Sequence, residues 1–519
     1  MSQISINENI LDLPSDIHDL VLSNLDRSTI VNLSLTCHRF YQIISNSSTI
    51  QAHIFQLSYN DSLKSYTWNK QHPDWSQINK DRKNASLYSW GSLTGGRLGY
   101  TVSYLHESNQ DANFVRSGFN NGVFKPTKIP KFEKSVKLIK AGGFSFQILT
   151  SEGDIYSTGS SWHYGHNSGV SVSHGRDYNQ LIALAREQEQ RQRQQQQHPI
   201  IRRGRGGPSI LPIGGIGGVR TMPYTLPNAI EDTNNGENKE VRKVKVVGDE
   251  TVKFKDINSG RAHFVGLSED HVVYSFDDHD IGIPLNFKGI QNKVKKTKAG
   301  WDYNLVEFYG RGLAYWRKRE PLLEDSVSSD VEAIMITDRE VVDFIGLENY
   351  IIYIDSKLTV WKFNIAEGFS VELPQFPEQL KKLNKTLLEP KAIKISGFFQ
   401  TFVIYSNIDV CLFGQSNKPD EVTTIPELNS TGCLDIQIGD YHLLALLASG
   451  KLLSWGLESK NCGCLGLGTA TETLERGGIR EGESSVRVTI PTTIETLENC
   501  VGIACGGWQS CAIVNEKPL

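Results

Sequence analysis

One pattern recurs along this chain, and its last copy is divided between the two ends of the sequence. Residues 141–160 (AGGFSFQILTSEGDIYSTGS), 258–278, 298–319, 343–363, 395–415 and 437–458 share one layout. Each carries a glycine, an aromatic or histidine step, an alternating apolar run, a turn, and a second short run closing on an aromatic. Gly143, Gly260, Gly300, Gly346, Gly397 and Gly439 head these units. Alternation such as Phe146, Ile148, then Ile155 predicts strand–turn–strand. Ser151-Glu152-Gly153 and Ala448-Ser449-Gly450 supply turns with a glycine free to adopt positive φ. A seventh unit starts at ACGGWQSCAIV (504–514), and its second half, LYSWGSLTGGRLGY (87–100), precedes every complete unit. A ring of blades that pairs the last strand with the first explains this division and removes exposed sheet edges. Units spaced by about 40 to 50 residues, where uninterrupted, predict an all-β seven-bladed propeller of four-stranded blades over 87–519.

These units resemble the repeats of the regulator of chromosome condensation family. The match is carried by Gly439-Asp440-Tyr441-His442 with Leu452-Leu453-Ser454-Trp455-Gly456, and by Trp90-Gly91 with Gly96-Arg97-Leu98-Gly99. The middle units depart from it. Those at 298 and 343 lack the closing Trp-Gly, and Phe276-Asp277 replaces it in the unit at 258. The resemblance implies one possible activity, guanine-nucleotide exchange on a Ran-like GTPase. The acidic balance, the lack of a basic N-terminal arm and the degenerate middle units speak against it.

Residues 9–50 follow another grammar. Pro14 stands where a first helix begins, since its missing N–H would be an orphan donor there. Asp16 and Asp19 suit the positive end of that helix, and Ile17, Leu20, Val21 and Leu25 form its apolar stripe. Asp26 or Ser28 can cap a second helix carrying Ile30, Val31, Leu33 and Leu35; Phe40, Tyr41, Ile43 and Ile44 extend into a third. Three short helices cannot bury this much apolar surface among themselves, so a partner protein is expected. The segment resembles an F-box, on Leu13-Pro14, Ile17, Leu20, Leu25, the Ile30–Leu35 run and Cys37-His38-Arg39-Phe40. That resemblance implies docking on the Skp-type adaptor, and through it the cullin, of an SCF (Skp–cullin–F-box) ubiquitin ligase. The implied contacts are Leu13, Pro14, Ile17, Leu20, Val21, Leu25, Ile30, Val31, Leu35 and Phe40.

Residues 51–86 read as a linker whose Trp68 and Trp75 pack on a neighbour. A long insert from about 164 to 245 runs from a Gln-rich stretch into Arg and Gly, so a projecting or disordered loop is expected. Only Arg202, Arg203 and Arg205 cluster there, without interleaved aromatics, which argues against nucleic-acid binding. A smaller insert spans Leu467 to Glu483.

A net charge of −4 gives no general pull toward nucleic acid or anionic lipid. No run approaches the roughly 20 apolar residues of a membrane span. The first dozen residues hold no Lys or Arg and no apolar core run, so no leader is expected, and the eight cysteines read as reduced thiols of the cytoplasm or nucleus. Walker, zinc-protease and Gly-x-Ser-x-Gly signatures are absent from the sequence. Cys462-Gly463-Cys464, with Cys500, Cys505 and Cys511, invites a zinc reading but lacks a paired Cys-x-x-Cys, so structural thiols are expected, with no metal or cofactor. His263 and His442 hold equivalent repeat positions, which suits a recurring hydrogen bond better than catalysis. The expectation is a non-catalytic receptor: adaptor at one end, a protein substrate of unread identity on the propeller.

Overall fold

The computed structural model describes residues 10–68, 72–108, 113–117, 120–159, 240–248, 251–278, 281–317, 330–383, 393–406, 410–428, 431–458 and 462–518. Seven sheets of four or five strands, almost wholly antiparallel, form the blades of a propeller. The innermost strands touch in order around the ring: Val136–Ala141, Phe254–Ser259, Val294–Ala299, Val341–Gly346, Ile393–Phe398, Cys433–Ile438 and Cys500–Cys505. Blades are numbered one to seven, with blade one holding the chain ends. In blade one, Ser86–Ser92 lies between Asn120–Lys128 and Gln509–Val514, with Leu87 opposite Ile513 and Tyr88 opposite Ala512. Three elements so distant in sequence share one sheet because closure leaves neither end strand unpaired.

Trp90-Gly91 and Trp455-Gly456 each hold a glycine where a side chain would not fit. The third strand slips register beside each glycine, whose φ is +112° or +111°, and a Cβ there would meet the backbone of Trp508 or Tyr441. The third strand also slips against the fourth in three blades that lack the dipeptide, between Ser275 and Asp278, Leu313 and Ala314, and Gly414 and Gln415, so the slip does not require it. The histidines repeat a bond between blades. His263 Nε2 meets Asn304 Oδ1 at 2.8 Å in the next blade, and His442 Nε2 meets Ser510 Oγ at 2.8 Å in the next. Tyr303, at the same place in blade four, donates to Leu347 O at 2.8 Å.

The N-terminal region is helical: α1 (Ser15–Leu22), α2 (Arg27–Thr36), α3 (His38–Asn46), α4 (Ser48–Ser58), α5 (Lys64–Thr67) and α6 (Trp75–Lys83). Asp26 caps α2, accepting from Thr29 N at 2.9 Å. The stretch expected as a linker is corrected here: α4 to α6 form a helical platform seated on the propeller. Phe55, Tyr59, Tyr66 and Trp75 share a core with Leu87, Val501, Ala504 and Ile513. Inside it Arg82 donates to both oxygens of Asp61 (2.6 and 2.9 Å), with both side chains sealed from solvent, and stacks over Tyr59. Trp75 is buried in this core, while Trp68 is half exposed with its ring edge over Gly432.

Most of the insert at 164–245 lies outside the described residues. The second insert is folded. Thr469 and Glu472 form a reciprocal cap on a helix at Ala470–Glu475, Lys125 reaches Glu472 at 2.9 Å, and Ile479–Glu481 adds an outer strand to blade seven.

Candidate docking surfaces

The F-box buries little and exposes much. Its core is Leu22, Ile30, Ile44 and Ile50. Polar ties close it: Ser47 Oγ donates to Asp19 Oδ1 at 2.6 Å, and His53 Nε2 lies 3.0 Å from Leu25 O. Outside this core Leu20 is 63% and Leu35 78% exposed, and Ile17, Val21 and Val31 are exposed with them. Pro14, at the N-cap of α1, is exposed, whereas Leu13, Leu25 and Phe40 are half-buried. Ile30 departs from the expected contact set. Its side chain is wholly buried in the F-box core, so it shapes the surface without reaching a partner. Tyr41 (exposed, on α3) was not in that set; its place beside Phe40 in the third apolar run was the available signal.

The second surface is one mouth of the propeller channel, where the first and second strands of each blade meet. Backbone bonds join neighbouring corners: Gly143 N to Arg261 O (2.8 Å), Glu348 N to Phe399 O (2.8 Å) and Gly507 N to Gly142 O (3.2 Å). Five of the seven corners carry an aromatic: Phe144, Trp301, the Phe398-Phe399 pair, Tyr441 and Trp508. Cations stack between them. Arg97 lies 5.1 Å from the Phe144 ring, Arg261 5.7 Å from the same ring and 4.0 Å from Trp301, and Trp301 meets Phe399 at 5.1 Å. Phe399 holds φ +53°, a left-handed conformation costly for a bulky side chain, and it is exposed. Asp440 stands among them with its pKa raised by burial, against the pull of Arg261 and Arg97. Sequence reading left this surface unread because each aromatic looks like part of the repeat; only alignment of the corners sets them in one ring.

Glu458, Cys462 and Cys464 bring donor atoms within 4.8 Å of one another in the buried base of the second insert. The carboxylate already accepts Gly463 N at 2.5 Å and Leu465 N at 2.9 Å, which explains it as a loop anchor. Burial pushes both thiols up, away from the thiolate form a metal needs. Burial also holds the His442 imidazole down at about 3, so it is neutral. No described helix is long and apolar enough to cross a membrane.

The F-box domain model matches residues 10–50, and the regulator of chromosome condensation (RCC1) repeat model matches residues 449–513. SCF-associated factor 1 of Saccharomyces cerevisiae is 27% identical over 552 aligned positions, 85% of this chain and 85% of that one. F-box protein pof9 of Schizosaccharomyces pombe is 26% identical over 246 positions, 44% of this chain and 50% of its own length. Among solved structures, Prp20p of Saccharomyces cerevisiae superposes with a TM-score of 0.50 at 12% identity, over 85% of this chain and 95% of that one. Yeast RCC1 (Prp20) from a complex with Kap60 gives 0.51 at 12% identity, over 85% and 92%. At such identity the likeness carries the fold alone.

Proposed function

We propose that this chain, an F-box joined to a seven-bladed RCC1-type propeller, is the substrate-recognition subunit of an SCF ubiquitin ligase. The observation that carries the reading is the F-box itself, whose own core is closed while Ile17, Leu20, Val21, Val31 and Leu35 stay uncovered. A Skp-type adaptor would cover that aliphatic face and link the chain to cullin, in the cytoplasm or nucleus. The propeller would hold a protein substrate, and the mouth bearing Trp301, Tyr441, Trp508 and Arg261 is the surface we assign to it. Trp, Tyr and Arg dominate the binding energy of protein interfaces. The chain would supply proximity rather than bond chemistry, making attack by a substrate lysine effectively intramolecular. The core that Phe55, Tyr59, Tyr66 and Trp75 share with Leu87, Val501 and Ile513 supports a fixed spacing between the two ends.

The test is binding of purified full-length protein to the adaptor, compared with a Leu13→Ala/Pro14→Ala double variant. Binding that drops in the variant, with propeller unfolding unchanged, supports the reading; no binding by either protein, or equal binding by both, ends it. Exchange activity on a Ran-like GTPase has no separate observation in its favour, and a nucleotide-release assay separates the two.

A further inference from the structure

The inner strands place a ring of charge inside the channel. Counting back four residues from the corner of each blade gives Asp256, Lys296, Asp343, Lys394 and Asp435 in blades three to seven, with Leu138 and Gly502 in blades two and one. Opposite charges therefore alternate over five blades and stop at two uncharged positions. Asp343 is fully engaged: Lys296 and Lys298 reach it at 2.6 and 2.8 Å, and Ile395 N donates to it at 2.8 Å. Asp435 accepts from Tyr405 Oη at 2.5 Å and from Gln437 Nε2 at 3.0 Å. Lys394 stands between these two carboxylates and pairs with neither among the described residues. Lys140 occupies in blade two the place Lys298 holds in blade four, and it too has no ion pair among the described residues.

The uncharged gap is where the space lies. A cavity of about 50 Å³ opens beside Gly502, lined by Lys137, Lys140, Lys394 and Asp435 and roofed by the Asn60–Ser62 turn of the helical platform. Asp61 in that turn is neutralised by Arg82. Lys137, Lys140 and Lys394 thus line the cavity with Asp435, which already has its donors, while Asp256 lies within electrostatic reach of Lys137 and Lys140. We propose that this end of the channel binds a compact oxyanion of the phosphate type. Lysines from blades two and six line the same cavity, and a tetrahedral oxyanion offers acceptors to both. The volume admits a free oxyanion. Bound there, the anion would fasten the platform turn to the ring, and this holds whether or not the chain serves a ligase.

The test is calorimetric titration of full-length protein, prepared without phosphate, with inorganic phosphate at constant ionic strength set by sodium chloride. Saturable binding is expected, weakened about tenfold or more in a Lys140→Gln/Lys394→Gln variant. Should that variant fail to fold, Lys394→Gln alone serves, since among the described residues its ammonium group makes no ion pair. Thermal unfolding should shift upward with phosphate in the wild type and not in the variant. No saturable heat in the wild type, or equal binding by a folded variant, overturns the proposal.

Discussion

The two ends of the molecule leave apolar surface uncovered in different ways. The F-box exposes aliphatic side chains on short helices around a core of four residues, so its outside is greasier than its inside is large. The propeller mouth carries aromatics on corners several of which are hydrogen-bonded to their neighbours, with Phe144 and Trp301 braced by Arg97 or Arg261. The first surface depends on a partner to finish it. The second is finished already and is built of corner residues that can change without disturbing the blades. One end is therefore suited to a constant partner and the other to a variable one.

The largest effect should fall on the aliphatic end. Leu20→Glu with Leu35→Glu removes two exposed anchors, each worth about 2 kcal/mol, so adaptor affinity should drop about 1,000-fold by calorimetry with folding intact. Retained affinity would mean the constant partner sits elsewhere. Asp61→Ala strands the buried Arg82 charge and should cost about 3–5 kcal/mol, read as loosened hydrogen exchange around Phe55 and Tyr66. Ile30→Ala should cost about 2–5 kcal/mol within the F-box while blade unfolding stays at its original midpoint. Trp301→Ala should weaken substrate capture about 30-fold, and an unchanged affinity would move the variable surface off this mouth.

The smallest effect concerns acid. His442 binds its proton near pH 3 when folded against an ordinary 6.5, so the unfolded chain holds more protons between these values. Its contribution is fully present above 6.5 and declines by about 1.4 kcal/mol per pH unit below it. His442→Gln should flatten that acid slope in thermal unfolding; an unaltered slope would place the sensitivity in other groups.

The ring was legible because it repeats. Glycine corners, period-two strands and a unit torn between residues 87 and 514 leave few folds able to contain them. The helical platform was not, and the reason is physical. Phe55, Tyr59, Tyr66 and Trp75 are too scattered to draw a helical stripe, because the surface they fit is made of Leu87, Val501 and Ile513 at both ends of the chain. Asp61 and Arg82 stand 21 residues apart, a spacing no local rule connects. In the F-box the apolar pattern located the surface but could not divide it. Ile30 and Val31 read alike in sequence, and only packing turns one inward and leaves the other outside. At the mouth, aromatics that serve the repeat and aromatics that serve a partner share a spelling.

Closure of blade one also sets an order in time. Ser86 meets Glu516 across 430 residues of sequence, and Asn515 and Lys517 reach Tyr66 and Asp81 of the platform. As the chain emerges from the ribosome the platform can meet blade two first, where Tyr59 Oη lies 3.2 Å from Ser135 Oγ and Asn60 N donates to Lys137 O, and it gains its contacts with Val501 and Ile513 last. Until then the platform's aromatics have only part of their floor, and the helical head rides on a partly fixed neck. Full seating of the platform thus comes with closure of blade one.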